Sequence, residues 1–315
     1  MAELKPIATR LAFGEELAEI GSREDIVVLD ADLSKSTMTY IFKEKYPERF
    51  VNCGIAEGNM MTTAAGIAST GKRVFAASFA MFSSGRAYEQ LRNSVAYPEL
   101  NVCAVGSHAG LTVGEDGASH QCIEDVALMR AMPNMTVISP ADGTETRAAL
   151  RAIVDYQGPV YLRVCRLAMP ILFDPDEYGK FEIGKGRILK EGSDIAIIGS
   201  GLLLHEAVKA AEALEAAGIS VRLVDIATIK PLDEALVIES AKKCGAVLVC
   251  EEHNVIGGLG GAVAETLSKN CPTIMDIIGV KDTFGCSGEP MQLLDKYEMS
   301  APHIEKAAKA LIAKK

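Results

Sequence analysis

The chain has 315 residues, of which 49% are hydrophobic and 23% charged, with a formal net charge of −10. This composition supplies a sizeable core and excludes intrinsic disorder. The acidic balance excludes a nucleic-acid surface, which needs a basic stripe, while leaving room for local anion sites built on a few arginines. Pro6 is placed to open a helix, with Ile7, Leu11 and Ala18 on or near one stripe. Short β-branched runs then alternate with helical stretches. Expected strands are Ile26–Leu29, Val74–Phe79, Val102–Val105, Thr136–Ile138 and Val160–Val164, and the helical runs Met60–Ala68, Ala87–Val95 and Glu145–Val154 fall between them. Such alternation predicts parallel sheets covered on both faces. The turn-rich Leu172-Phe-Asp-Pro-Asp-Glu-Tyr-Gly179 breaks the pattern. Beyond it the spacing predicts a strand Ile195–Ile198 ending at Gly199-Ser-Gly201, and a helix Leu203–Ala217 stopped by Gly218. Strands Val221–Val224, Ala246–Val249 and Ile274–Ile278 follow, then an amphipathic helix Ala301–Ala313 with Ile304, Ala308, Leu311 and Ile312 on one face. The reading is α/β, in two domains of roughly 1–170 and 185–315.

The eight cysteines, at 53, 103, 122, 165, 244, 250, 271 and 286, form no Cys-x-x-Cys pair and fit no zinc module. They read as buried free thiols in a reducing compartment. No signal peptide or membrane-length apolar run is present, so a cytoplasmic protein without a membrane partner is expected.

Three places carry unusual residues. Asn52-Cys-Gly-Ile-Ala-Glu57-Gly-Asn sets one carboxylate among small and apolar residues before a helical run; a first-turn Glu favoured by the helix dipole is the plainer reading. Ser78-Phe-Ala-Met-Phe-Ser83 ends a strand with two aromatics, a pattern also typical of core. The long polar loop from Ser107 to Gln121 follows a strand and holds His108, Asp116 and His120. Loops at the carboxyl ends of strands in open α/β sheets form ligand crevices, so this loop points to a site.

Taken together these stretches resemble the pyrimidine-binding domain of transketolases. The matching segments are Leu29-Asp-Ala-Asp-Leu-Ser-Lys-Ser36, Cys53-Gly-Ile-Ala-Glu-Gly-Asn-Met60, Ser78-Phe-Ala-Met-Phe82, Gly114-Glu-Asp-Gly-Ala-Ser-His-Gln121, Met132-Pro-Asn-Met135 and Gly158-Pro-Val-Tyr-Leu-Arg-Val-Cys-Arg166. The second half is similar to the family's C-terminal domain through Ile229-Lys-Pro-Leu-Asp233, Glu251-Glu-His-Asn-Val-Ile-Gly-Gly-Leu-Gly-Gly261 and Asp282-Thr-Phe-Gly-Cys-Ser-Gly288. The resemblance implies two three-layer α/β domains and a thiamine-diphosphate-dependent transfer of a two-carbon ketol unit between sugar phosphates, the chemistry of the pentose phosphate pathway. It makes Glu57 the carboxyl that manages a proton at the cofactor's pyrimidine, where apolar neighbours favour a proton shared with the ring. Phe79, Phe82, Asp32 and Tyr88 match cofactor-side positions, Tyr88 standing near the place where the family offers a Tyr. His120, as a catalytic residue, with Asp116 and His108 matches groups on the sugar, and Arg10, Ser36 and Arg166 match the phosphate ligands, with Arg163 as an alternative.

The family's diphosphate and magnesium (or calcium or manganese) are held through a Gly-Asp-Gly motif in a further domain, and this sequence has no Gly-Asp-Gly. No metal ligand is therefore expected in this chain. The opening residues read as a genuine start, so the expected partner is a separate N-terminal transketolase subunit. A two-fold pair of each chain would make a heterotetramer. The competing readings are the beta subunit of a 2-oxo acid dehydrogenase, half of a deoxyxylulose-phosphate synthase-like enzyme, suggested by Arg86-Ala-Tyr-Glu-Gln90, and a non-catalytic α/β regulatory or binding subunit, against which the presence of Glu57 argues. The stretch Glu251–Gly261 lacks the dinucleotide spacing, and the resemblance makes it a structural turn of the C-terminal domain.

Overall fold

In the computed structural model, which describes residues 5–176 and 178–315, the alternating strands and helices build two mainly parallel sheets. The first sheet has seven strands, ordered Thr228–Lys230, Thr136–Ile138, Val160–Arg163, Val102–Ser107, Arg73–Phe79, Ile26–Asp30 and Phe50–Asn52. All neighbours are parallel except the first pair. The second has five strands, ordered Ile274–Val280, Ala246–Asn254, Ile195–Gly199, Val221–Asp225 and Arg187–Lys190, the last antiparallel. Arg73–Phe79, Val102–Ser107 and Ile195–Gly199 are buried at every residue. Helices on both faces demand this, and it is why these strands read as continuous rather than alternating runs.

The helices follow their caps. Asp142 accepts the Glu145 amide at 2.8 Å and opens Gly143–Asp155. Gly218, at φ +83°, ends the chain segment after Leu204–Ala216, and Ile304, Ala308 and Leu311 are the buried stripe of Ala301–Ile312. Two expectations change. Pro6 does not open a helix: Ile7–Ala8 pairs with Ala168–Met169 as a short antiparallel ribbon, and the helix begins at Thr9, burying Phe13 and Leu17 rather than Leu11. The run after Phe79 is not one regular helix but two π-helical turns, Met81–Arg86 and Leu91–Ala96, around the short Tyr88–Gln90. Such widened turns gather at functional sites.

The two halves are tied together. Thr228–Lys230 lies after the second sheet's Val221–Asp225 in the chain yet adds an edge strand to the first sheet, a pairing with no signal in the local pattern. One apolar cluster runs continuously from Phe13 and Phe75 to Leu223 and Ile304. All eight cysteines are free; five are buried as expected, whereas Cys53, Cys271 and Cys286 are only half-buried.

Candidate functional site

The strands Ile26–Asp30, Arg73–Phe79 and Val102–Ser107 run parallel, so their carboxyl ends share one edge of the sheet. The segments that leave this edge carry most of the singled-out residues. Glu57 is the first residue of the helix Glu57–Ala68 and is 2% exposed. It is not set among apolar groups alone: Arg86 Nη1 donates to both carboxylate oxygens, at 3.0 and 2.9 Å. A buried carboxylate needs such a partner, because desolvation without pairing costs several kcal/mol, in order of magnitude. The π-turn that ends at Arg86 starts beside Phe82, and the Arg86 guanidinium lies over the Phe82 ring, 4.4 Å from its centroid. Arg86 is thus an unforeseen member of the site. Its signal was the spacing: it stands one turn beyond Phe82, on the same side.

Four rings meet here. Phe79 and Phe82 lie 6.1 Å apart with planes 10° from parallel. His108 stacks on Phe79 at 3.9 Å, and His120 stands edge-on to Phe79 and Phe82 at 6.1 and 5.4 Å. His108 has its Nε2 3.2 Å from Arg10 Nη1 and its Nδ1 2.9 Å from Ser107 Oγ. Arg10 can only donate, so Nε2 accepts and the ring proton sits on Nδ1. Burial first, then Arg10, Arg166 and His120, push the His108 pKa down to about 3. His108 is therefore a neutral, fixed group near pH 7, not the proton donor or acceptor near neutrality that its residue type suggests. His120 is half-buried and bonded through Nδ1 to Ser119 Oγ at 2.9 Å.

A cationic corner adjoins His108. Arg10 Nη1 also donates to the Ser36 carbonyl at 2.8 Å, while its buried Nε has no partner. Burial, then Arg166, lowers the Arg10 pKa, which marks two guanidinium groups held close together. Arg166 Nη1 donates to Val113 O at 2.6 Å and to Glu115 Oε2 at 3.0 Å, leaving the side chain 39% exposed.

Other singled-out residues lie further out. Asp32 is exposed, at φ +64°, and accepts from Asn52 Nδ2 at 2.9 Å, as a turn residue does. Its neighbour Asp30 is the buried carboxylate of this loop, bonded to the Leu33 amide and the Thr37 and Thr39 hydroxyls. Tyr88 packs on the core cluster around Met60 and Leu91 rather than on the Phe79 and Phe82 rings. Asp116 is exposed at the end of the turn Leu111–Asp116. Arg163 is no free phosphate ligand: it is 7% exposed, paired with Asp125 at 2.8 Å and bonded to the Glu252 carbonyl at 2.9 Å. In the second half, His253 Nε2 accepts from the Ala127 amide at 3.3 Å, a structural clamp. A cavity of about 500 Å³ lies elsewhere, between the helix Gly143–Asp155 and residues 179–183, lined by Ala148, Tyr156 and Phe181 among others, and holds none of these residues. Among the described residues no group of three or more His, Cys, Asp or Glu is arranged to hold a metal, and no helix is long and apolar enough to cross a membrane.

The residues fit an aminopyrimidine ring. Such a ring would meet a carboxylate at its edge and an aromatic at its face, and here one flat, delocalised donor, Arg86, already spans Glu57 and Phe82.

Comparisons with known proteins place the chain in a family. The transketolase pyrimidine-binding domain matches residues 5–171 and the transketolase C-terminal domain matches residues 184–304. The chain is 51% identical over 299 residues to a putative transketolase C-terminal section of Methanocaldococcus jannaschii, covering 94% of each. It is 41% identical over 300 residues to a 6-deoxy-6-sulfo-D-fructose transketolase subunit of a Clostridium species, covering 95% of this chain and 92% of that one. A solved split gene transketolase, described as an inactive beta4 tetramer, superposes with a TM-score of 0.91 at 49% identity, covering 98% of this chain and 99% of that one. The chain belongs to the transketolase family, whose pyrimidine-binding and C-terminal domains it carries in that order.

Proposed function

We propose that the chain is the C-terminal subunit of a split transketolase, moving a two-carbon ketol unit from a ketose phosphate to an aldose phosphate. The observation that carries this reading is the buried Glu57 carboxylate bound to a flat donor that stacks on Phe82. Thiamine diphosphate, when bound, supplies the nucleophilic carbon that takes up the two-carbon unit. Glu57 would face the pyrimidine ring nitrogen and manage its proton, Phe79 and Phe82 would pack on the ring, and Arg86, which now bonds Glu57, would have to release it to admit the ring. Asp32 and Tyr88 serve at the margin of that cofactor site. His120 and Asp116 bond the sugar hydroxyls, with His120 exchanging protons and His108 a fixed neutral partner. Arg10, Ser36 and Arg166 hold the terminal anion. Two close guanidiniums repel each other, and an anion between them relieves that repulsion. This corner would accept a phosphate or, as the name of the Clostridium relative indicates for that protein, a sulfonate.

A separate N-terminal subunit would hold the diphosphate and magnesium, and two copies of each chain would make a heterotetramer. The role belongs to pentose phosphate interconversion in the cytoplasm, a setting with which eight free cysteines are consistent. The test uses this chain with its partner subunit, thiamine diphosphate and magnesium, and follows transfer from xylulose 5-phosphate to ribose 5-phosphate. Turnover that needs both chains is expected. Turnover by this chain alone, or none with partner and cofactor bound, would remove the reading.

A further inference from the structure

The loop Gly110–Gln121 carries Asp116 and His120 but belongs to neither sheet, and both of its ends are held by the second half of the chain. At its entry, Glu252 Oε1 accepts the Thr112 amide at 2.6 Å. Gly110, at φ +82°, packs so closely there that a Cβ would meet the Glu252 carboxyl carbon at 2.3 Å, so a side chain would have to displace that carboxyl group from a backbone conformation that favours glycine. At its exit, Gln121 Nε2 donates to the Cys286 carbonyl at 2.9 Å. Glu252 stands near the end of Ala246–Asn254 and is 2% exposed, and its second oxygen, Oε2, is buried without a partner. The charged groups that face it are Arg163, which bonds its carbonyl, and Asp125, which pairs with Arg163; the buried Cys165 thiol also senses it. Burial raises the Glu252 carboxyl to about 7, against the opposing pull of Arg163 and Thr112. Thr112 is itself fully buried, so its amide has no water to turn to and depends on this one acceptor from the second half of the chain.

We propose that Glu252 is a positioning residue for the first-half site: by holding the Thr112 amide it fixes the loop Gly110–Gln121, and with it the placing of His120 and Asp116. The loop's part in binding sugar rests on the ketol-transfer reading, whereas the contact itself does not. It also gives the second domain a task at the site without a side chain in it.

Hydrogen–deuterium exchange of this chain, read on peptides covering 110–121, tests the contact by separating reach from charge. Glu252→Asp keeps the charge but shortens the arm. Glu252→Gln keeps the arm and an acceptor but removes the charge. Glu252→Asp is expected to speed exchange of 110–121 about tenfold or more and Glu252→Gln by less than about twofold, with the strand at 26–30 unchanged in both. In the complex with the partner subunit, Glu252→Asp should raise KM for the sugar phosphate about tenfold at unchanged cofactor affinity, and Glu252→Gln should restore it. Unchanged exchange at 110–121 in Glu252→Asp, or exchange as fast in Glu252→Gln, overturns the proposal. Because exchange needs no turnover, an inactive wild-type complex would count against the ketol-transfer reading while exchange still decides the role of Glu252.

Discussion

Two glycine-rich segments, Gly110–Gln121 and Gly257–Gly261, look alike in sequence and end up as opposites, and two adjacent glutamates divide them. Glu251 and Glu252 lie next to each other on Ala246–Asn254, and successive side chains of a strand point to opposite faces. Glu251 turns to its own domain, where its carboxylate accepts the Leu259 and Gly260 amides at 2.7 and 2.8 Å and so fills the start of the helix Leu259–Asn270. A Cβ on Gly258 would come within 2.1 Å of Glu251 Oε2. The amides that a phosphate would use are already taken by the chain itself. Glu252 turns the other way and takes one amide of the first segment, leaving Asp116 exposed and His120 half-buried. Glycine content therefore marks a close backbone approach in both places, but only where the chain leaves polar groups outward can a ligand be recognised.

The contrast can be broken at several depths. The largest effect is expected at Glu57, proposed to handle the cofactor's proton: Glu57→Gln should lower turnover of the assembled enzyme about 10³-fold or more while assembly by size exclusion stays intact. Turnover within tenfold of wild type would take Glu57 out of the proton handling. Next comes Arg166→Ala, which should raise KM for phosphorylated sugars about 10- to 100-fold and leave it nearly unchanged for non-phosphorylated ones. An equal loss with both would place Arg166 outside the anion corner.

The remaining tests sharpen the two glutamates against each other, measured as urea stability across pH. Glu251→Ala should cost about 1–2 kcal/mol, as loss of a helix cap does, with little change in substrate KM. Glu252 behaves differently because burial raises its carboxyl from 4.5 to about 7, so the native state binds the proton more tightly than the unfolded chain. Its contribution is full below about pH 4.5 and is lost as pH rises to about 7. Wild type relative to Glu252→Gln should therefore lose on the order of 3 kcal/mol across that window. A flat difference would mean that Glu252 titrates as an ordinary exposed carboxylate.

How much of this was legible beforehand follows from how local each feature is. Strands such as Arg73–Phe79 and Ile195–Gly199, and helices such as Leu204–Ala216 with its Gly218 stop, are written in apolar period and turn chemistry within a few residues. The ring cluster of Phe79, Phe82, His108 and His120 was also within reach, because strand ends and a long polar loop at one sheet edge converge by the rule of parallel topology. Arg163 and Arg166 show where that reasoning stops. Both are arginines in one short stretch, yet one is buried against Asp125 and the other is 39% exposed beside Glu115.

The sequence by itself determined the class of fold and the order of its main elements, since these depend on short-range sterics and periodicity, while the residues expected at the site came from the resemblance to transketolases. Only the tertiary structure decided which charges meet. Arg86 on Glu57, Glu252 on Thr112 and Thr228–Lys230 on the first sheet join residues that are 29, 140 and about 90 positions apart. Such pairings are chosen by the cost of leaving a buried charge or a strand edge unsatisfied, which has no meaning until the chain has folded around it.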